Sequence, residues 1–178
     1  MRFSVRVVLG VLAVGAVASL GTLGIAQASK QRPADTGQQS LVEDFSYPNA
    51  AAIQTQYGVT LTSGDGHILF ADCTTPPTGN IGLIQVHSTA AVGANDSGTV
   101  CFKVTAASGE LSMTIPGVYE IRGDGQAAGS GHKLTADLTT DAGAHTTATV
   151  NPSGSTPVGV GTSPTADPTT LLKLTASS

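Results

Sequence analysis

The sequence predicts an all-β domain: an antiparallel β-sandwich or jelly roll of about nine strands, with one short N-terminal helix and one disulfide. Three observations carry this expectation. From Gly58 onward apolar residues recur at alternate positions, as in Val100, Phe102 and Val104 against Thr99, Cys101, Lys103 and Thr105. A period of two sends successive side chains to opposite faces of a strand. Turn-forming Gly, Asp, Asn and Pro punctuate the chain at intervals of roughly 8–12 residues, the spacing of a sandwich. The polar partners in these strands are mostly Thr, which suits a solvated sheet surface. Antiparallel sheets with one wet face alternate in this way, whereas parallel sheets are buried on both faces.

Each element follows from its residues. Pro48–Tyr57 is the expected helix: Pro48 can open it, Ala50, Ala51, Ala52 and Gln54 favour it, and Ile53 and Tyr57 share a face. Gly58 can close it in a left-handed cap. Val59–Thr62 and His67–Cys73 are read as a hairpin around Ser63-Gly64-Asp65-Gly66, since Asp-Gly accepts positive φ. Ile81–Ser88 and Thr99–Thr105 follow, then Leu111–Ile115 and Val118–Arg122 as two strands. Lys133–Thr139, Thr146–Val150, Pro157–Val160 and Leu171–Thr175 complete the set. Residues 151–169 are rich in Pro, Gly, Ser and Thr and should cross the surface, so that Leu171, Leu172 and Leu174 dock on a sheet.

The N-terminus reads as a signal peptide over residues 1–28. Arg2 and Arg6 precede an apolar run from Val7 to Ile25, and Ala26-Gln27-Ala28 has the small residues that signal peptidase requires. Gly10, Gly15, Gly21 and Gly24 make a poor permanent span, so the alternative, an uncleaved membrane tether, is the weaker reading. The two arginines are not adjacent, which favours the general secretory route over a twin-arginine route. Residues 29–40 are polar and aperiodic, a disordered lead-in. Residues 41–178 form the single domain, and the mature chain is expected to be secreted and free of the membrane.

The full chain has 178 residues with 8 Lys+Arg and 12 Asp+Glu. Removing the leader takes away two arginines, so the mature chain carries 6 cationic against 12 acidic residues, a net charge of −6 with His neutral. That excludes nucleic acid and anionic membranes as partners, because both need clustered cations. Cys73 and Cys101 are the two cysteines. In an exported chain a lone pair is a disulfide, which at this separation stabilises by about 3 kcal/mol in the chain-entropy model.

No catalytic, cofactor-binding or metal site is assigned. There is no G-x-S-x-G elbow. Ser130-Gly131-His132-Lys133 matches S-x-x-K but lies in a Gly-rich stretch without its partner motifs. His67, His87, His132 and His145 fall at no metal-ligand spacing. Asp65, Asp72, Asp96 and Asp124 lie in or near loops, as calcium ligands do, without a D-x-D-x-D-G run. Glu43, Asp44, Glu110 and Glu120 could supply a glycosidase pair only if folding brought two together. Trp is absent and the six mature aromatics (Phe45, Tyr47, Tyr57, Phe70, Phe102 and Tyr119) leave little for a sugar-stacking platform. Arg122-Gly123-Asp124 spells an adhesive tripeptide, but Gly-Asp-Gly reads first as a turn. Asn95-Asp96-Ser97 is a formal glycosylation acceptor, which points to an exposed loop.

Three segments, Leu41-Val42-Glu43-Asp44-Phe45-Ser46-Tyr47-Pro48, Ser63-Gly64-Asp65-Gly66-His67-Ile68-Leu69 and Ile121-Arg122-Gly123-Asp124, carry a resemblance. In them the chain resembles uncharacterised small secreted β-domain proteins of actinobacteria. The resemblance implies an exported β-domain and transfers no activity or site residue.

The expected function is that of a secreted, non-enzymatic binding or cell-envelope-associated module, with an extracellular or cell-wall ligand met at loops 74–80, 90–98 and 123–131. The alternative is a secreted hydrolase or hydrolase inhibitor whose site assembles only in the fold. Two carboxylates or a Ser–His pair converging in one pocket would favour the enzyme.

Overall fold

The computed structural model describes residues 45–178, so the leader and the lead-in, and with them Glu43 and Asp44, lie outside the described residues. The described chain forms one short helix and nine antiparallel strands. The helix α1 covers Ala50–Tyr57. Pro48 was expected to open it; instead Asn49 takes the N-cap position with φ 58°, and Pro48 sits before the cap. Gly58 closes the helix at φ 67°, its N–H bonded to the Gln54 carbonyl, as a glycine in the left-handed region does at no steric cost.

The strands are β1 (Thr60–Gly64), β2 (Ile68–Ala71), β3 (Ile84–Ser88), β4 (Thr99–Val104), β5 (Gly109–Arg122), β6 (Lys133–Thr140), β7 (His145–Val150), β8 (Ser155–Pro157) and β9 (Thr169–Ser177). The 14-residue β5 organises the fold. Its first half pairs with β1 on one edge and β9 on the other. Its second half pairs with β3 and β8. One half-sheet is therefore β2-β4-β3-β5-β8, and the other is β1-β5-β9-β6-β7. The two are continuous through β5 and do not close into a barrel.

Three further expectations are corrected here. The strand expected over Pro157–Val160 lies earlier: β8 is Ser155–Pro157, and Gly159, at φ 49°, turns the chain into a short 3-10 helix over Gly159–Gly161. Leu111–Ile115 and Val118–Arg122 are a single strand. Pro116 has no N–H to offer the ladder, and Gly117 takes φ 65°. The β5–β9 register shifts between Ile115 and Val118, so the strand bends without ending. The Asp65-Gly66 hairpin does not form: β1 pairs with β5 and β2 with β4. The turn has the right residues, but it carries the chain from one half-sheet to the other. Burial on both sides decides this, because Leu61 enters the core from the β1-β5-β9-β6-β7 half and Ile68 from the β2-β4-β3-β5-β8 half.

Alternation governs the core. Val100, Phe102 and Val104 from β4, Leu111, Met113 and Ile115 from β5, Leu134, Ala136 and Leu138 from β6, and Leu171 and Leu174 from β9 join one buried cluster. Because residues of both half-sheets share that cluster, the halves face each other as in a sandwich. Leu174 docks the last strand against β5 and β6, as the sequence of the tail required.

Candidate functional site

On the outward face of β4, Cys101 is fully buried. What covers it is the segment before β3, tied down by the Cys73–Cys101 disulfide with Cα atoms 5.2 Å apart. The segment is folded locally by its own polar residues. Asp72 Oδ1 accepts from the Thr74 N–H and hydroxyl, both at 2.8 Å, an Asx turn of the kind Asp favours. Thr78 and Ile81 exchange backbone hydrogen bonds at 2.8 and 3.2 Å, with Gly79 at φ 59° between them.

This stapled segment forms one wall of an open cleft of about 580 Å³. The end of β4 and the following residues 105–107 form the opposite wall, and His132, just ahead of β6, completes the rim. Ile81, Leu83, Val104 and Ala107 give the cleft an apolar lining; Lys103 and His132 are its charged or ionisable groups, Thr75, Thr78 and Thr105 its hydroxyls, and among the described residues no carboxylate or serine lines it.

His132 is held from behind. Asp124 is 0 % exposed, and its Oδ2 lies 2.6 Å from His132 Nδ1. Its Oδ1 accepts from the His132 backbone N–H at 2.8 Å. The Asp124 carbonyl accepts from the Gly82 N–H at 2.6 Å, so the same residue also fixes the far wall. With Nδ1 donating to the carboxylate, the neutral ring has its lone pair on Nε2. Among the described residues no buried side-chain nitrogen or oxygen lacks a partner. Among the described residues His132 Nε2 has no hydrogen-bond partner and so is not fully buried; the side chain is 17 % exposed and lines the cleft.

The chain reaches this arrangement through the Gly-rich turn between residues 123 and 131. Gly125 N–H bonds the Pro152 carbonyl at 2.8 Å. Gly131 takes φ 96°, and a Cβ there would stand 2.5 Å from Pro152 O. Gly131→Ala should therefore cost about 2–3 kcal/mol through backbone strain and displace His132. Urea unfolding read together with the His132 imidazole NMR signals checks both effects.

The other candidates separate. Asp124, once a possible calcium ligand and the acid of Arg122-Gly123-Asp124, is buried against His132, so its carboxylate is closed to an adhesive partner. Ser130 Oγ is tied to Ala127, donating to its carbonyl at 2.7 Å and accepting from its N–H at 2.9 Å. Lys133 Nζ donates to the Ser178 carbonyl at 3.1 Å, so the S-x-x-K match makes no joint site. Glu110 and Glu120 lie on the two halves of β5; Glu110 pairs with Lys173 Nζ at 2.7 Å, and Glu120 accepts from Ser155 Oγ at 2.9 Å. His87 lies 4.0 Å from Glu120 and 3.3 Å from Thr99 Oγ1 on the open sheet surface. His67 lies 3.4 Å from Asp65, and His145 is on β7. Among the described residues no three His, Cys, Asp or Glu side chains gather as a metal site. Asn95 is exposed, as its motif suggested.

Of the three loops expected to meet a ligand, 74–80 lines the cleft, 123–131 supports it through Asp124, and 90–98 lies outside it. Both members of the Asp124–His132 pair stood among the sequence candidates, but for calcium and for a metal. The only available signal was an Asp and a His flanking one Gly-rich stretch.

The Asx turn at the stapled wall also sets a pH dependence. The Thr74 N–H, then its hydroxyl, hold the exposed Asp72 carboxyl below its ordinary value of 3.8. A depressed carboxylate stabilises the fold above that value and ceases to do so as pH falls through its folded pKa. The stability difference between the native chain and Asp72→Ala should accordingly narrow below about pH 4 in acid titrations of unfolding, and persist at pH 7.

Compared with known proteins, the chain matches no family model and no curated sequence. The site's own geometry therefore carries the functional reading.

Proposed function

We propose that this protein is an exported binding module that takes a small extracellular or cell-wall-derived ligand in the cleft between the disulfide-stapled segment and the end of β4. The observation that carries this reading is the Asp124–His132 pair at the cleft rim. A fully buried carboxylate fixes a histidine that lines a concave, largely apolar space and whose Nε2 has no hydrogen-bond partner among the described residues. A few placed polar groups in an apolar recess are the usual make-up of a small-ligand site.

Export rests on the leader pattern of residues 1–28 and on the disulfide, which persists in oxidising compartments. Among the described residues no helix is long and apolar enough to cross a membrane. Expression of the full chain in an exporting host should yield a product beginning at Ser29; an intact N-terminus retained in the membrane would overturn release.

The exported product should then be passed over immobilised cell-wall polymers and titrated with their soluble fragments while His132 and Ile81 are followed by NMR. Retention or shifts confined to cleft residues, lost in His132→Ala, are the expected result. Shifts confined to the outer sheet faces would move the site elsewhere.

A further inference from the structure

We infer that the cleft is also a hydrolytic site, in which His132 acts as a general base toward water and cleaves carboxylic esters of small, partly apolar acids. This rests on the cleft being the ligand site and adds a reaction to it.

The geometry supplies a base and an orienting group. His132 Nδ1 lies 2.6 Å from Asp124 Oδ2, and Asp124 is 0 % exposed. A carboxylate in that position holds one tautomer, leaves Nε2 as the proton acceptor and stabilises the imidazolium once formed. A second hydrogen bond, from the His132 backbone N–H to Asp124 Oδ1 at 2.8 Å, fixes the pair as a rigid unit. The ring so held lines a cleft of about 580 Å³ and keeps Nε2 without a hydrogen-bond partner among the described residues.

The lining narrows the chemistry. Among the described residues it has no carboxylate, so the two-acid mechanism of glycosidases finds no pair in this lining. Among the described residues the lining has no serine and Ser130 is tied to Ala127; its threonines, Thr75, Thr78 and Thr105, make no hydrogen bond to His132, and Thr105 Oγ1 donates to the His67 carbonyl, so we assign water as the nucleophile. Lys103 lines the same cleft and is the cation available to an oxyanion, while Ile81, Leu83 and Val104 suit an acyl chain. In the step, the water oxygen bonds to the acyl carbon as its proton passes to His132 Nε2. The C–O bond to the alcohol then breaks, and the leaving oxygen takes that proton from the imidazolium. Ester and water become acid and alcohol, with no oxidant or reductant consumed.

The test uses the exported product of the full chain and 4-nitrophenyl acetate, butyrate and hexanoate as probes. Saturable turnover is expected, slower in D2O, and lowered by about 10²-fold or more in His132→Gln, the scale of a positioned general base. Asp124→Asn should lower kcat with KM little changed and shift the His132 ¹⁵N signals away from the Nδ1–H tautomer. His67→Gln and His145→Gln should leave the rate unchanged. Should Asp124→Asn fail to fold, His132→Gln decides alone. A burst of 4-nitrophenol equal to the protein concentration would mean that a side chain takes the acyl group, and would overturn the general-base role. Equal rates for the native chain and His132→Gln, or no turnover, would overturn the hydrolytic inference. If butyrate and hexanoate still shift His132 and Ile81 in that case, the binding reading stands; if they do not, and no cell-wall fragment does, both fall.

Discussion

Phe102→Ala should lower the unfolding free energy by about 3–5 kcal/mol, the usual cost of emptying a core aromatic site. Phe102 is fully buried at the middle of β4. It lies opposite Phe70 on β2 and Ile84 on β3, and its ring meets Phe70 edge-on with centroids 6.1 Å apart. Phe70 in turn packs on Tyr57 of α1 with centroids 4.8 Å apart. The substitution therefore removes the core ring on which Phe70 rests, and neighbours held by the sheet cannot collapse into the space. For a domain of this size the loss corresponds to a fall in Tm of about 6–20 °C, readable by calorimetry. A loss below about 1 kcal/mol would mean that Phe102 is not packed in the core as described.

Cys73→Ser with Cys101→Ser should cost about 3 kcal/mol by releasing the unfolded chain from a 28-residue loop constraint. Here the effect is not confined to the unfolded state. The bond also holds the wall of the cleft against β4, and that wall is otherwise fixed by the Gly82–Asp124 and Gln126–Asn80 backbone hydrogen bonds and by short turns of its own. The double variant should remain folded, because the cleft wall is not part of the hydrophobic cluster. It should nevertheless lose ligand-induced shifts at Ile81. Denaturant unfolding measures the first effect, and NMR titration of the folded variant measures the second.

Much of the fold was legible in local pattern. The alternation of Val100, Phe102 and Val104 placed β4, and the late leucines placed β9, because burial on a two-residue period leaves a signature in any half-wet strand. Pairing was less legible. Asp65-Gly66 is a good turn whether the next strand returns beside the first or crosses to the other half-sheet, and Pro116-Gly117 looks like a break although the chain continues through it.

By itself the sequence determined the all-β class, most of the strands, the disulfide between Cys73 and Cys101, and most of the residues that enter the core. These depend on local periodicity and on the small number of cysteines. Only the tertiary structure decided that β5 belongs to both half-sheets and that Asp124 is buried beneath His132 rather than offered to solvent. Strand partners and side-chain pairs across a Gly-rich turn are set by which surfaces can be buried together. That is a property of the assembled layers, which no short stretch of residues carries.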